Sequence, residues 1–208
     1  MPAPRPDDEP DDLLMAAYAN GDDTAFERLY TRHEAGLYRF VRRLLGPALA
    51  AQADEVFQDT WMRVVHARKG WMPQGASFRT WLFTLAHHRV IDVWRRSGRE
   101  VTPLDDGDAP WEPDAEAGSA WARWPAPQTE DIAFWRKAGV RLLHCLDQLP
   151  LAQRSAFLLH HDDELPLADV ARALEVGFET AKTRLRYAMS KLRTCMGAHL
   201  APLQTSEP

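Results

Sequence analysis

Cysteine is scarce in this chain: Cys145 and Cys195 are the only two in 208 residues. Neither belongs to a CxxC or CxxH pair, so neither a disulfide scaffold nor a zinc site is indicated. Cys145 is expected to pack as a small hydrophobe beside Leu142, Leu143 and Leu146. No apolar run approaches the length needed to span a bilayer. The first residues, MPAPRPDDEPDD, are acidic and proline-rich where a signal peptide would be basic and then apolar. A cytoplasmic chain without membrane insertion is therefore expected. Strand-like alternation, a glycine-rich phosphate loop and a long internal repeat are all missing. So are an activated nucleophile and a paired-carboxylate site, so catalysis is not indicated. The adjacent pair His87-His88 points apart on a helix, and the run from His160 to Glu164 reads as the polar end of one. No metal or cofactor is called for.

Charge is present but unevenly placed. The chain carries 25 Lys and Arg against 30 Asp and Glu, a net charge of −5. Residues 1–12 hold five acids against Arg5, and residues 101–131 hold eight against Arg123; together they contribute −11 and leave the remainder at +6. Acidic flexible segments flanking basic folded ones give this pattern. The stretch 101–131 is rich in Pro, Asp, Ala and Gly without periodicity, and reads as an extended, self-repelling linker. Its tryptophans, Trp111, Trp121 and Trp124, either dock on a domain or await a partner surface.

Before the linker the pattern is helical. Asp22 or Asp23 can cap a helix whose apolar positions Phe26, Leu29, Tyr30, Leu37, Phe40, Val41 and Leu44 recur at helical spacing, and Gly46-Pro47 ends it. A second helix runs from Ala53 to Arg68, with Val56, Thr60 and Val64 on one line and Phe57, Trp61 and Val65 beside it. Asp54, Glu55, Gln58, Asp59 and Arg63 form its polar flank. After the loop Gly70 to Ala76, Ser77 caps a third helix, FRTWLFTLAHHRVIDVWRRSGR, that starts apolar and finishes basic. Trp81, Leu82, Leu85 and Ala86 bury one face, while His87, His88, Arg89, Arg95, Arg96 and Arg99 offer cations and donors around Trp94. Arginines beside stacking aromatics suit single-stranded or melted nucleic acid.

After the linker, Leu167, Val170, Ala171 and Leu174 fall at i, i+3, i+4, i+7. Pro166 suits the first helical position, and Gly177 sits where the chain must turn sharply. A second helix, opened by Thr180, carries the stripe Ala181, Leu185, Ala188, Met189 and Leu192, with Lys182, Arg184, Arg186, Lys191 and Arg193 largely on its other faces. This is the layout of a helix-turn-helix whose second helix enters the major groove. A solvated amphipathic pair would show the same stripes, but it would not explain two separated basic helices joined by an acidic linker.

Three blocks carry a resemblance. ADEVFQDTWMRVV resembles the helix by which extracytoplasmic-function sigma factors dock on the clamp of the largest RNA polymerase subunit. FRTWLFTLAHHRVIDVWRR resembles their helix that recognises and opens the −10 promoter element. LDQLPLAQRSAFLL, LADVARALEV and ETAKTRLRYAMSKLR resemble the domain that reads the −35 element. The resemblance implies an all-α chain of two small helical domains joined by an acidic flexible linker, the C-terminal one a helix-turn-helix. The expected boundaries are an acidic disordered tail at 1–12, an N-terminal domain at 13–100, the linker at 101–131, a C-terminal domain at 132–198 and a tail at 199–208.

Carried over residue by residue, the resemblance assigns Asp54, Gln58, Asp59 and Trp61 to polymerase docking. Trp71, Arg79, Trp81, His88, Arg89, Arg95 and Arg96 fall to the −10 element, with Trp71 stacking on or walling the pocket of a flipped-out base. Thr180, Lys182, Thr183, Arg184 and Arg186 fall to the −35 element. His88 stands where the family commonly has Asn, and Ala181 where Val is more usual. The implied partners are core RNA polymerase (the clamp of the largest subunit and the flap of the second-largest), promoter DNA and an anti-sigma protein. The mechanism is recruitment, with melting driven by binding energy and no cofactor. The competing expectation is a helix-turn-helix regulator that works without polymerase; it would leave Asp54 to Val65 and the FRTWL block unexplained.

Overall fold

The computed structural model describes residues 9–72, 75–98 and 132–200. Among these residues the regular structure is entirely helical, as the sequence predicts. The linker at 101–131, with its three tryptophans, and the tail at 1–8 lie outside the described residues.

The N-terminal bundle is built from α1 (Asp11–Ala19), α2 (Asp23–Leu45), a 3-10 turn at Pro47–Gln52, α3 (Ala53–Ala67) and α4 (Phe78–Arg96). Its caps are the expected ones. The Asp22 carboxylate accepts from the backbone N–H groups of Thr24 and Ala25, and the Ser77 hydroxyl accepts from that of Thr80. Either cap is worth about 1 kcal/mol. Gly46 ends α2 with a φ of +68°, and a Cβ there would stand 3.0 Å from an Arg154 nitrogen and 3.2 Å from an Asp147 oxygen, so only glycine fits. Phe26, Tyr30, Phe57 and Trp61 interlock as an aromatic cluster between α2 and α3, while Phe40 meets Phe83 of α4 edge-on.

Helix α1 is a departure from the expected tail at 1–12. Leu14, Met15 and Tyr18 are buried, each side chain worth about 1.5–3 kcal/mol. Glu9, Asp11 and Asp12 are each held by a partner. Glu9 pairs with Arg28 at 2.7 Å, Asp11 with Arg32 and His33, and the Asp12 carboxylate accepts from the Phe78 N–H at 2.7 Å. Burial pushes the Asp11 carboxyl up, but the bonds and charges of His33 and Arg32 outweigh it and leave the pKa below the usual range. These partners are distant in sequence, so the run looks like a charged tail until the chain folds.

The C-terminal bundle comprises α5 (Ile132–Asp147), α6 (Leu151–Phe157), one π-helical turn at Leu158–Asp162, α7 (Leu167–Ala173) and α8 (Phe178–Leu200). Three local expectations shift. Pro166 precedes the first helical residue instead of occupying it, its carbonyl accepting from Asp169 and Val170. Helix α8 starts at Phe178, two residues before Thr180. The left-handed residue of the turn is Glu175, at φ 53°, rather than Gly177; the Val176 N–H donates back to Ala171, closing α7 in a Schellman-type cap.

The cysteine expectation is corrected outright. Cys145 of α5 and Cys195 of α8 form a disulfide with a Cα–Cα distance of 5.9 Å. Helices α5 and α8 pack against each other, which brings together two residues 50 positions apart. Local spacing carries no sign of such a pair.

Candidate nucleic-acid interface

The expected docking flank lies on α3. Asp54 and Gln58 are exposed and line an open cavity of about 450 Å³ with Tyr30, Glu34, Tyr38 and Phe57. Tyr38 donates its hydroxyl to Asp54 at 2.8 Å; that bond raises the phenol's pKa above its ordinary value. Trp61 is buried at 5% exposure, so it supports this face from beneath. Asp59 turns the other way and takes the Arg89 guanidinium, with Nε at 2.7 Å, while Glu55 approaches the same group at 3.5 Å. Docking and −10 blocks are thus joined by an ion pair across α3 and α4.

Apart from Arg89, the expected −10 residues separate into three groups. Trp71 and Trp81 stand 6.5 Å apart, centroid to centroid, and with His66, Gly70, Met72 and Ala76 they line a cavity of about 360 Å³ at the start of α4. Arg95 and Arg96 are exposed at the other end. Arg79, in the first turn of α4, and His88, near its middle, face the C-terminal bundle. Arg79 donates to the Asp163 carbonyl, and His88 Nε2 lies 3.3 Å from a Glu175 carboxylate oxygen.

His87, expected among the offered cations, is instead buried. Its Nδ1 finds no partner among the described residues, and burial, with the charges of His88 and Arg184 adding, drives its pKa down to about 3. It is a neutral core group.

In the helix-turn-helix, Val170, Ala171, Leu174, Ala181, Ala188 and Leu192 are buried as the stripes require. Lys182 and Arg186 are exposed, while Thr180, Thr183 and Arg184 are half-buried. Lys182 pairs with Glu179 across one turn at 3.5 Å, an exposed pair worth little.

Two groups escaped sequence reasoning. Arg154 is 3% exposed. It donates to the carbonyls of Leu44 and Arg43 at the end of α2, and to those of Asp147 at 2.7 Å and Leu149. Burial lowers its pKa, with Asp147 opposing. Asp163 is also 3% exposed, although the run from His160 to Glu164 reads as a polar helix end. The π turn carries the extra residue that rotates it inward; its N–H donates to Leu158 five residues back. Burial first, and then the charge of Asp162, push its carboxyl up to about 7 against Arg79, Arg39 and Arg43.

Comparison with known proteins covers both bundles. Residues 29–100 match the family described as sigma-70 region 2, and residues 139–192 match sigma-70 region 4. The chain is 28% identical to an "ECF RNA polymerase sigma factor SigK" of Mycolicibacterium vanbaalenii, over 89% of each chain. It is 28% identical to an "ECF RNA polymerase sigma factor RpoE" of Cereibacter sphaeroides, over 88% of this chain and 93% of that one. Among solved structures, CnrH in complex with the cytosolic domain of CnrY superposes with a TM-score of 0.64 at 22% identity, covering 91% of this chain and 99% of that one. The sigma factor RpoE bound to the anti-sigma factor NepR, from Bartonella quintana, gives 0.57 at 20% identity, covering 88% and 98%.

Proposed function

We propose that this chain, which belongs to the extracytoplasmic-function sigma factors of RNA polymerase, directs promoter-specific initiation by dividing promoter reading between its two bundles. It brings core polymerase to a promoter and carries no chemistry of its own, which makes it a non-enzymatic specificity subunit. Its partners are core RNA polymerase, promoter DNA and an anti-sigma protein. Asp54, Gln58 and Asp59, over buried Trp61, meet the polymerase clamp. Trp71, Arg79, Trp81, His88, Arg89, Arg95 and Arg96 capture the melted −10 strand. Thr180, Lys182, Thr183, Arg184 and Arg186 meet the −35 duplex. No helix among the described residues is long and apolar enough to cross a membrane, which suits a cytoplasmic subunit.

The observation that carries this reading is the tryptophan-walled cavity between α3 and α4, beside a helix that ends in exposed arginines. A flipped base needs an aromatic wall to recover the unstacking it costs, and the flanking phosphates need cations. Stacking of this kind is worth about 1–3 kcal/mol per base.

Run-off transcription with bacterial core polymerase, over a library of promoters from the same genome, tests the proposal. Discrete start sites that depend on the chain and share two upstream motifs are expected. Trp71→Ala is expected to lower permanganate reactivity of the melted strand about 5- to 150-fold, the equivalent of that stacking energy. Specific duplex binding by the chain alone, with no polymerase-dependent start sites, would transfer it to the class of polymerase-independent helix-turn-helix regulators.

A further inference from the structure

The two bundles meet along a seam of polar contacts, Arg43 to Asp162, Arg79 to Asp163 and His88 to Glu175. At its edge, where α2 ends and the 3-10 turn passes α5, a groove of about 460 Å³ stays open. Its floor is apolar: Pro47 and Ala50 of the turn line it together with Leu143 and Leu146 of α5. Leu143 is 46% exposed, and Val140, one turn before it, is 70% exposed. Arg39 and Arg42 of α2 stand at the rim, both exposed. Of the other charges there, Arg43 is taken by Asp162 and Asp147 by Arg154. Arg39 and Arg42 form no ion pair or hydrogen bond among the described residues; Arg39 acts on Asp163 through its charge alone. The fold thus leaves an apolar floor uncovered and two cations over.

An occupant that suits this groove is apolar at its centre and acidic on both sides. The chain contains such a segment. Residues 105–116 read DDGDAPWEPDAE, with six acids, no cation and Trp111 among them. Trp121 and Trp124 instead flank Arg123, which would meet the rim with like charge. Aromatic side chains bring the largest apolar area to a contact, and acids beside exposed cations add a modest attraction.

The tether is also of the right length. Trp111 precedes the start of α5 by about 20 residues, whose relaxed end-to-end distance is about 25 Å. Leu143 lies about 10 residues into α5, a rise of about 15 Å. On the other side, about a dozen residues from Gly98 reach up to about 40 Å, while α2, with 23 residues, is about 35 Å long. A tether in this range holds the segment at about millimolar local concentration, which fills a groove too weak to retain a free peptide.

We infer that the groove between α2 and α5 is the docking site of the chain's own segment 105–116, with Trp111 on the apolar floor and the surrounding acids at Arg39 and Arg42. None of the residues that line it lies on α4, α7 or α8. The site is therefore separate from the helices assigned to the promoter, and it stands whether or not those helices read one.

The test is fluorine NMR on the full chain labelled with 5-fluorotryptophan, the Trp111 resonance being assigned with Trp111→Phe. A groove variant carries Arg39→Gln, Arg42→Gln and Leu143→Asp, all at exposed positions. A charge-matched control carries Arg63→Gln, Lys69→Gln and Leu13→Asp, exposed positions outside the groove. At low salt, Trp111 of wild type and control is expected to resonate away from its position in urea. The groove variant should lower the docked-to-free ratio at least about tenfold, since each exposed ion pair is worth up to about fivefold and Leu143→Asp adds a like charge. Its Trp111 resonance should move to the urea position while those of Trp61, Trp71 and Trp81 stay in place. If the groove variant disturbs those three, Asp105→Asn with Asp106→Asn and Asp108→Asn applies the same test from the segment's side. A wild-type Trp111 resonance already at the urea position would overturn the inference. So would an equal displacement in wild type, control and variant.

Discussion

Replacing Asp163 by Asn should stabilise the protein, and by an amount that grows with pH. The carboxyl is 3% exposed, and Arg79 bonds its backbone carbonyl rather than its side chain. Burial and the neighbouring Asp162 raise its pKa from 3.8 to about 7. Between those values the folded chain holds a proton that the unfolded chain has released. The stability from the neutral carboxyl is therefore fully present below pH 3.8 and lost as pH rises through 7. At about 1.4 kcal/mol per pKa unit, the total loss is about 4 kcal/mol. Asparagine keeps the shape and stays neutral throughout. Urea unfolding of both proteins from pH 5 to 8.5 should show the variant ahead by about 2 kcal/mol at the acid end and about 4 at the alkaline end, with unchanged slopes. Titrating groups that do not interact with Asp163 are common to both and drop out of the difference. A gap that does not change with pH would mean that the carboxylate is already ionised and solvated at neutral pH, and the buried seam would be wrong.

His87 titrates in the opposite sense. Its pKa falls from 6.5 to about 3 on folding, so the stability it contributes is present above pH 6.5 and lost as pH falls. His87→Gln should gain about 2 kcal/mol on wild type between pH 7.5 and pH 5, read by the same unfolding series; a constant offset would place His87 in solvent. In wild type the two slopes oppose each other between pH 3.8 and 6.5, and each single variant exposes the other. Arg154→Met should cost about 3–5 kcal/mol, because the Leu44, Asp147 and Leu149 carbonyls lose their buried donor; a loss under 1 kcal/mol in urea unfolding would contradict that bonding. Reducing the Cys145–Cys195 bond, which closes a 50-residue separation, should cost about 4 kcal/mol. Equal urea midpoints with and without reductant would show that the thiols are not paired.

Helices α2, α3 and α4 were legible because their information is local. Asp22 and Ser77 cap the turns that follow them, Gly46-Pro47 stops α2, and the apolar residues recur at the helical period. Both bundles of the all-α fold follow from that, and so does the order of the three motif blocks. The Trp71–Trp81 pair could also be anticipated, since a short loop joins the two residues. What stayed hidden depends on residues far apart. Glu9, Asp11 and Asp12 read as tail charge because Arg28, Arg32, His33 and the Phe78 N–H arrive from 19 to 66 residues away.

The seam is the extreme case. Its contacts join Arg43 to Asp162, Arg79 to Asp163, Arg154 to Leu44 and His88 to Glu175, and no period or cap relates any of those pairs. Worse, the local signals there point the wrong way. Two histidines in a row look like surface donors, a run of acids looks like a solvated helix end, and a glycine looks like the turn residue that Glu175 turns out to be. Such signals mislead where contacts from distant elements decide what is buried, as they do for Asp163 and His87. Sequence reasoning therefore fails most at the place where one bundle constrains the other.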